Sequence, residues 1–159
     1  MTDDRTGYAR PSSAANSAVS LLVLWTGVVW GGRVRNVNAD PALADWGYWS
    51  PMLLSASFLV LAVAVVVALV RRWRHPHHER EARSLSLAVQ LLAGWTTAVW
   101  IVRAGDIAFG GDHEAAFIAV HVGLAAVSIG LAAWAVVMDR KVRMNEHTRA
   151  LTASQQSMS

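Results

Sequence analysis

Apolar residues gather along this chain into four long runs separated by short polar stretches. The runs Pro11–Gly32, Trp46–Val70, Ser84–Val102 and Ala115–Met138 contain no Asp, Glu, Lys or Arg. About 20 apolar residues in a helix cross the hydrocarbon core of a bilayer. The second and fourth runs exceed that length. The third reaches it when Arg103 extends its charge to the lipid surface on an apolar stem. The pattern predicts an all-α chain, a four-helix transmembrane bundle with spans over about 17–34, 48–70, 84–104 and 115–138.

The first run read alone could be a secretory signal. An internal repeat argues otherwise. Residues Ala18 to Arg33 read A-V-S-L-L-V-L-W-T-G-V-V-W-G-G-R, and Ala88 to Arg103 read A-V-Q-L-L-A-G-W-T-T-A-V-W-I-V-R. Nine of these 16 positions are identical at an offset of 70. The first run therefore matches an internal span and is read as a retained helix. Spans one and two, and spans three and four, form two similar hairpins that enter the membrane from the same side, a parallel repeat about an axis along the membrane normal.

The repeat has one face. On a helix turning about 100° per residue, with Trp25 at zero, the identical positions fall between about −40° and +140°. They are Ala18, Val19, Leu21, Leu22, Trp25, Thr26, Val29, Trp30 and Arg33. The seven changed positions fall between about 160° and 340°. That second face carries Gly27 and Gly31 in the first helix, and Gly94 and Ala98 in the third. Small residues four apart let helices approach closely in lipid, so these four are read as helix-packing positions.

Composition and charge fit this reading. Of the 159 residues, 54% are hydrophobic and 16% charged, against about a quarter charged in a soluble domain. The loop between spans two and three holds Arg71, Arg72, Arg74, Arg80 and Arg83, and the tail holds Arg140, Lys141, Arg143 and Arg149. The other two loops are acidic, with Asp40, Asp45, Asp106, Asp112 and Glu114. Basic loops stay in the cytoplasm. Both termini are therefore expected inside, in a multi-pass protein of a bacterial cell membrane. The basic residues flank hydrophobic spans, so the sequence pI of 10.2 reads as lipid contact rather than nucleic-acid binding. Residues 1–16 are expected to be a disordered cytoplasmic segment, 17–140 the membrane domain, and 141–159 a cytoplasmic tail that extends the last helix by a turn or two.

Candidate chemistry is sparse. There is no cysteine, which removes thiol redox chemistry and Cys-ligated metals. No phosphate-binding loop, dinucleotide fingerprint or zinc-protease motif is present. His75, His77 and His78 form a loop tract without a supporting carboxylate, and no metal site is predicted from it. His121 is the only histidine inside a span, and an ionisable group there is a functional candidate. A bis-histidine haem needs a second buried histidine, and the position equivalent to His121 in the first hairpin is Pro51. No cofactor is predicted, with haem and quinone the remote alternatives.

Thr26, Trp30, Arg33, Thr96, Trp100, Arg103 and His121 carry the sharper reading. Arg33 and Arg103 stand at one height on equivalent faces, where their charges repel unless an anion intervenes. A guanidinium fork binds carboxylate or phosphate in two places at once. These residues would line a ligand-binding site for an anion or lipid head group. The plainer reading is structural. Terminal tryptophans and arginines anchor helices at the lipid surface, Thr26 and Thr96 bond back to carbonyls one turn earlier, and Asp106 neutralises Arg103, with Asp40 the looser counterpart for Arg33.

The pattern W-x-x-R-x-R-N-x-x-x-D from Trp30, together with H-E-A-A-F-I-A-V-H-V-G-L-A-A-V-S-I from His113 to Ile129, resembles small uncharacterised integral membrane proteins of actinobacteria. The resemblance covers roughly residues 17–140 and implies a four-span core; it brings no activity, cofactor, partner or site residue. The function expected from the sequence is a non-enzymatic accessory or scaffolding subunit, partnered by lipids and by further copies or other membrane subunits. Binding or transport of an anionic ligand is the alternative, and a redox subunit the remoter one.

Overall fold

The structure, a computed structural model, describes residues 13–75, 78–109 and 114–156. Among these the chain forms four helices: α1 Ser13–Ala39, α2 Asp45–Arg74, α3 Glu79–Phe109 and α4 Ala115–Gln156. No strand occurs among the described residues. Each helix is long and apolar enough to cross a membrane. The 27 residues of α1 reach about 40 Å at 1.5 Å per residue. The 42 residues of α4 reach about 63 Å, far beyond a bilayer core of about 30 Å.

Two helix limits differ from those expected. The first helix begins at Ser13, inside the segment read as a polar tail, and Ala15 is already buried. The N-terminal tail itself, residues 1–12, lies outside the described residues. The last helix continues to Gln156, past the turn or two foreseen. Its tail is rich in helix formers and its first turns are tied down. Arg72 Nη2 lies 3.1 Å from Glu146 Oε1, linking α2 to that extension.

Local chemistry sets the breaks. Pro41 disfavours helical geometry at Asp40, and α1 stops one residue earlier. Asp40 Oδ1 accepts a 3.0 Å hydrogen bond from the backbone N–H of Ala42, an Asx turn that reverses the chain. Pro51 falls in the second turn of α2 and cannot donate to the carbonyl of Gly47. Glu79 and Glu81 occupy the first turn of α3, where carboxylates oppose the positive end of the helix dipole.

The connections are short, so sequential helices run antiparallel. α1 packs on α2 and α4, and α3 packs on the same two. α1 and α3 therefore face one another across the diagonal of a four-helix bundle. Phe58 is fully buried and its ring stacks on Trp30 at 3.9 Å and 11°. Leu22, Val65, Val89 and Leu92 complete the centre. Large apolar residues such as Leu24, Val28, Val60, Leu87 and Val120 are exposed around the outside, the surface that lipid would cover.

Burial keeps step along the chain. Val19, Leu22, Thr26, Trp30 and Val37 are buried in α1, and their repeat equivalents Val89, Leu92, Thr96, Trp100 and Ile107 are buried in α3. Phe58, Ala62, Val65 and Leu69 are buried in α2, and Ser128, Ala132, Ala135 and Asp139 in α4. The face that is identical in the two helices is thus mainly the inward one. Leu21 and Leu91, at its edge, are exposed.

The small residues read as helix-packing positions, Gly27, Gly31, Gly94 and Ala98, have room around them within the chain. A Cβ added at any of the three glycines would meet nothing within 4 Å, and Ala98 is exposed.

Candidate functional site

Where α1 and α3 end, the four helices part around a pocket of about 670 Å³. Val29, Trp30, Arg33 and Asn36 line it from α1, and Val99, Trp100 and Arg103 from α3. α2 contributes its first three turns, with Pro51 and Leu54 among them, and α4 contributes His121 and Leu124. Helical geometry explains the grouping. Val29, Trp30, Arg33 and Asn36 follow one another at spacings that keep a single face, and the repeat presents the same face again in α3.

The seven residues singled out in the sequence divide in two. Trp30, Arg33, Trp100, Arg103 and His121 all line this pocket. Thr26 and Thr96 do not. Both threonines are buried one turn below the tryptophans. The Thr26 hydroxyl donates to the Leu22 carbonyl at 2.8 Å, the back-bond expected of a threonine in a helix. Thr96 Oγ1 has no hydrogen-bond partner among the described residues.

The pocket is cationic. Arg33 and Arg103 both face it, and none of its described lining residues carries a carboxylate. The neutralising partners foreseen for the arginines are weak or absent. Asp106 Oδ2 lies 3.9 Å from Arg103 Nη1, with both side chains well exposed. Such a contact contributes little in water. Asp40 is committed to its turn, and among the described residues Arg33 makes no ion pair.

One ring nitrogen adds to the wall, and a second lies buried behind it. His121 Nδ1–H donates to the Phe117 carbonyl at 2.9 Å, and the two rings meet at 4.0 Å with a 35° tilt. That commits Nδ1 to its own helix and leaves Nε2 for the pocket. A bond from His121 across to Thr96 or Ser55 does not form; Ser55 instead donates to the Pro51 carbonyl at 2.7 Å. Trp100 is only 6% exposed, and its Nε1 donor has no acceptor among the described residues.

Sequence reasoning missed Asn36, Trp46 and Ser50, which also line the pocket. Asn36 was legible in principle, three residues after Arg33 on the same face. Trp46, at the start of its span, reads from sequence only as a lipid-surface anchor. Also missed was a buried polar cluster at the far end of the bundle. Asp139, 5% exposed, accepts a 2.6 Å hydrogen bond from Ser86 Oγ, which in turn accepts from Gln90 Nε2 at 2.9 Å. Arg143 Nε stands 3.6 Å from the same carboxylate oxygen. The signal was weak, because the apolar Leu69 occupies the corresponding place in α2.

Among the described residues no group of three His, Cys, Asp or Glu is placed to hold a metal ion. His75 and His78 lie with ring centroids 5.5 Å apart; His77 and His113 are outside the described residues. No family model, no curated protein and no solved structure matches the chain.

Proposed function

We propose that this chain is a multi-pass membrane protein that binds an anionic ligand in the pocket between Arg33 and Arg103, without catalysing a reaction on it. One observation carries the reading: two arginines from diagonal helices line a single pocket whose described wall holds no carboxylate. Oxyanions suit such a site, because each guanidinium can donate two parallel hydrogen bonds. The burial register shared by the two halves of the chain supports two similar hairpins as the scaffold. On this reading the arginine-rich loop and the tail lie in the cytoplasm of a bacterial cell, and the pocket opens outward.

The test is equilibrium binding of phosphate- and carboxylate-bearing probes to the protein purified in detergent. Replacing both arginines, as in Arg33→Gln with Arg103→Gln, should lower affinity by about tenfold or more, given what charged hydrogen bonds contribute. A wild-type protein that binds none of the probes at millimolar concentration would sink the reading.

A second reading, an accessory subunit of a homo-oligomer or larger membrane assembly, draws support from the outward small residues. Gly27, Gly31 and Gly94 have open space where a side chain would stand, the geometry that a neighbouring helix in lipid can use. Cross-linking in native membranes checks it. A strictly monomeric protein would count against this role while leaving the pocket reading intact.

A further inference from the structure

Resting on the anion-binding reading, we infer that the pocket takes a phosphate-headed amphiphile. Its head would lie between Arg33 and Arg103 within reach of Trp100, and its apolar chain would lie along the rest of the wall.

Charge selects the head group. Arg33 has no ion pair among the described residues, and Arg103 has only the 3.9 Å contact with exposed Asp106. The pocket therefore keeps more than one positive charge uncompensated. A phosphate monoester carries about −1.5 to −2 at neutral pH, and a carboxylate only −1. With no carboxylate among the described lining residues, an ammonium group has no counter-charge there, so zwitterionic heads are disfavoured.

The orphan donor says where the head sits. An indole N–H can only donate, and a buried donor without an acceptor is costly. Trp100 and Arg103 lie three residues apart, on one face of α3; the indole N–H is closed off in this structure, so a head group held by Arg103 meets it by displacing what covers the ring. The other tryptophan is engaged differently: the Trp30 ring is stacked on Phe58. The residue that corresponds to Phe58 in the second hairpin is Ser128, which offers no such plate and accepts a 2.9 Å hydrogen bond from Trp25 Nε1. The seat is therefore on the α3 side, although the two helices share their motif.

The remaining wall is apolar, with Val29, Leu54, Val99 and Leu124. Each methylene buried against it should raise affinity by about fourfold. Inorganic phosphate forgoes that gain.

Isothermal titration of the full-length protein in a maltoside detergent tests this with four probes: decyl phosphate, decanoate, inorganic phosphate and decylphosphocholine. Decyl phosphate should bind about tenfold or more tightly than each of the others, a gap that a single charged contact or a few methylenes can supply. Trp100→Phe should weaken decyl phosphate by about threefold to tenfold. If that variant fails to fold, the indole ¹⁵N–H resonance of Trp100 in the wild-type protein should shift on adding decyl phosphate. Equal binding of inorganic phosphate overturns the amphiphile, equal binding of decylphosphocholine overturns the anionic head, and equal binding of decanoate overturns the phosphate. An unmoved Trp100 resonance overturns the α3 seat. If none of the four binds, the anion-binding reading itself has failed. Nanodiscs with and without phosphatidic acid separate the sources: competition with decyl phosphate assigns the head to a membrane lipid, and no competition assigns it to a soluble amphiphile.

Discussion

Asp139 and Leu69 occupy corresponding buried places, one on α4 and one on α2, yet one is a carboxylate and the other a hydrocarbon. The carboxylate is tolerated because Ser86 donates to it and Gln90 donates to Ser86. Removing it leaves the Ser86 hydroxyl without its acceptor, and an unmet buried polar group costs about 1–3 kcal/mol. Asp139→Ala should therefore destabilise the protein by about 2 kcal/mol, whereas Asp139→Asn keeps an acceptor and should cost about half as much or less. Unfolding of each variant in mixed micelles measures the difference; equal losses would mean that the negative charge, and not the acceptor, is what Ser86 and Arg143 require. The repeat could not reveal this cluster, since Asp139 has no polar counterpart. It hid the indole ties for a related reason. Trp25 bonds Ser128 on α4 and Trp95 bonds Ser57 on α2, each at 2.9 Å. The two serines are not repeat equivalents; they stand one step off the offset that relates the tryptophans.

At the scale of helices, the identical half of α1 and α3 faces inward because it carries the contacts that any such bundle needs. Phe58, buried at the centre, stacks on Trp30 and lies 6.2 Å from the Trp95 ring, so it joins three helices. The changed half looks outward, which explains why its residues could drift. Four helices were legible because long charge-free runs allow few other structures in lipid. Trp30, Arg33, Trp100 and Arg103 were legible because the repeat marks one face, and His121 because it is an ionisable group inside a span. The lining from α2 was not, since the six identities that residues 54–67 share with α4 at the same offset are all Leu, Ala or Val and mark no polar face. The outward position of the small residues has a direct consequence. Glycine within a helix is less favourable than alanine by about 0.5–1 kcal/mol, and nothing crowds a methyl group at Gly27 or Gly94. Gly27→Ala and Gly94→Ala should each stabilise the monomer by about that amount in thermal unfolding. If either instead breaks up an oligomer or lowers the unfolding temperature, a second helix must occupy that face.

For the whole molecule, the decisive quantity is direction across the bilayer. The two ends of the bundle differ in kind. One holds the arginine-lined pocket and the acidic connections; the other holds Asp139, the Arg72–Glu146 pair and the long extension of α4. Arginine-rich loops are retained in the cytoplasm. On the proposed topology the pocket therefore opens outside, and an external or lipid-borne anion has access to it. The chain has no cysteine, so single substitutions make clean reporters. Ala42→Cys lies in the α1–α2 turn at the pocket end, and Gln155→Cys near the end of α4. A membrane-impermeant maleimide applied to intact cells should label Ala42→Cys and leave Gln155→Cys untouched until the membrane is permeabilised. The reverse pattern would turn the pocket toward the cytoplasm. The anion would then have to come from inside the cell, while the wall of Arg33, Trp100 and Arg103 that holds it would be unchanged.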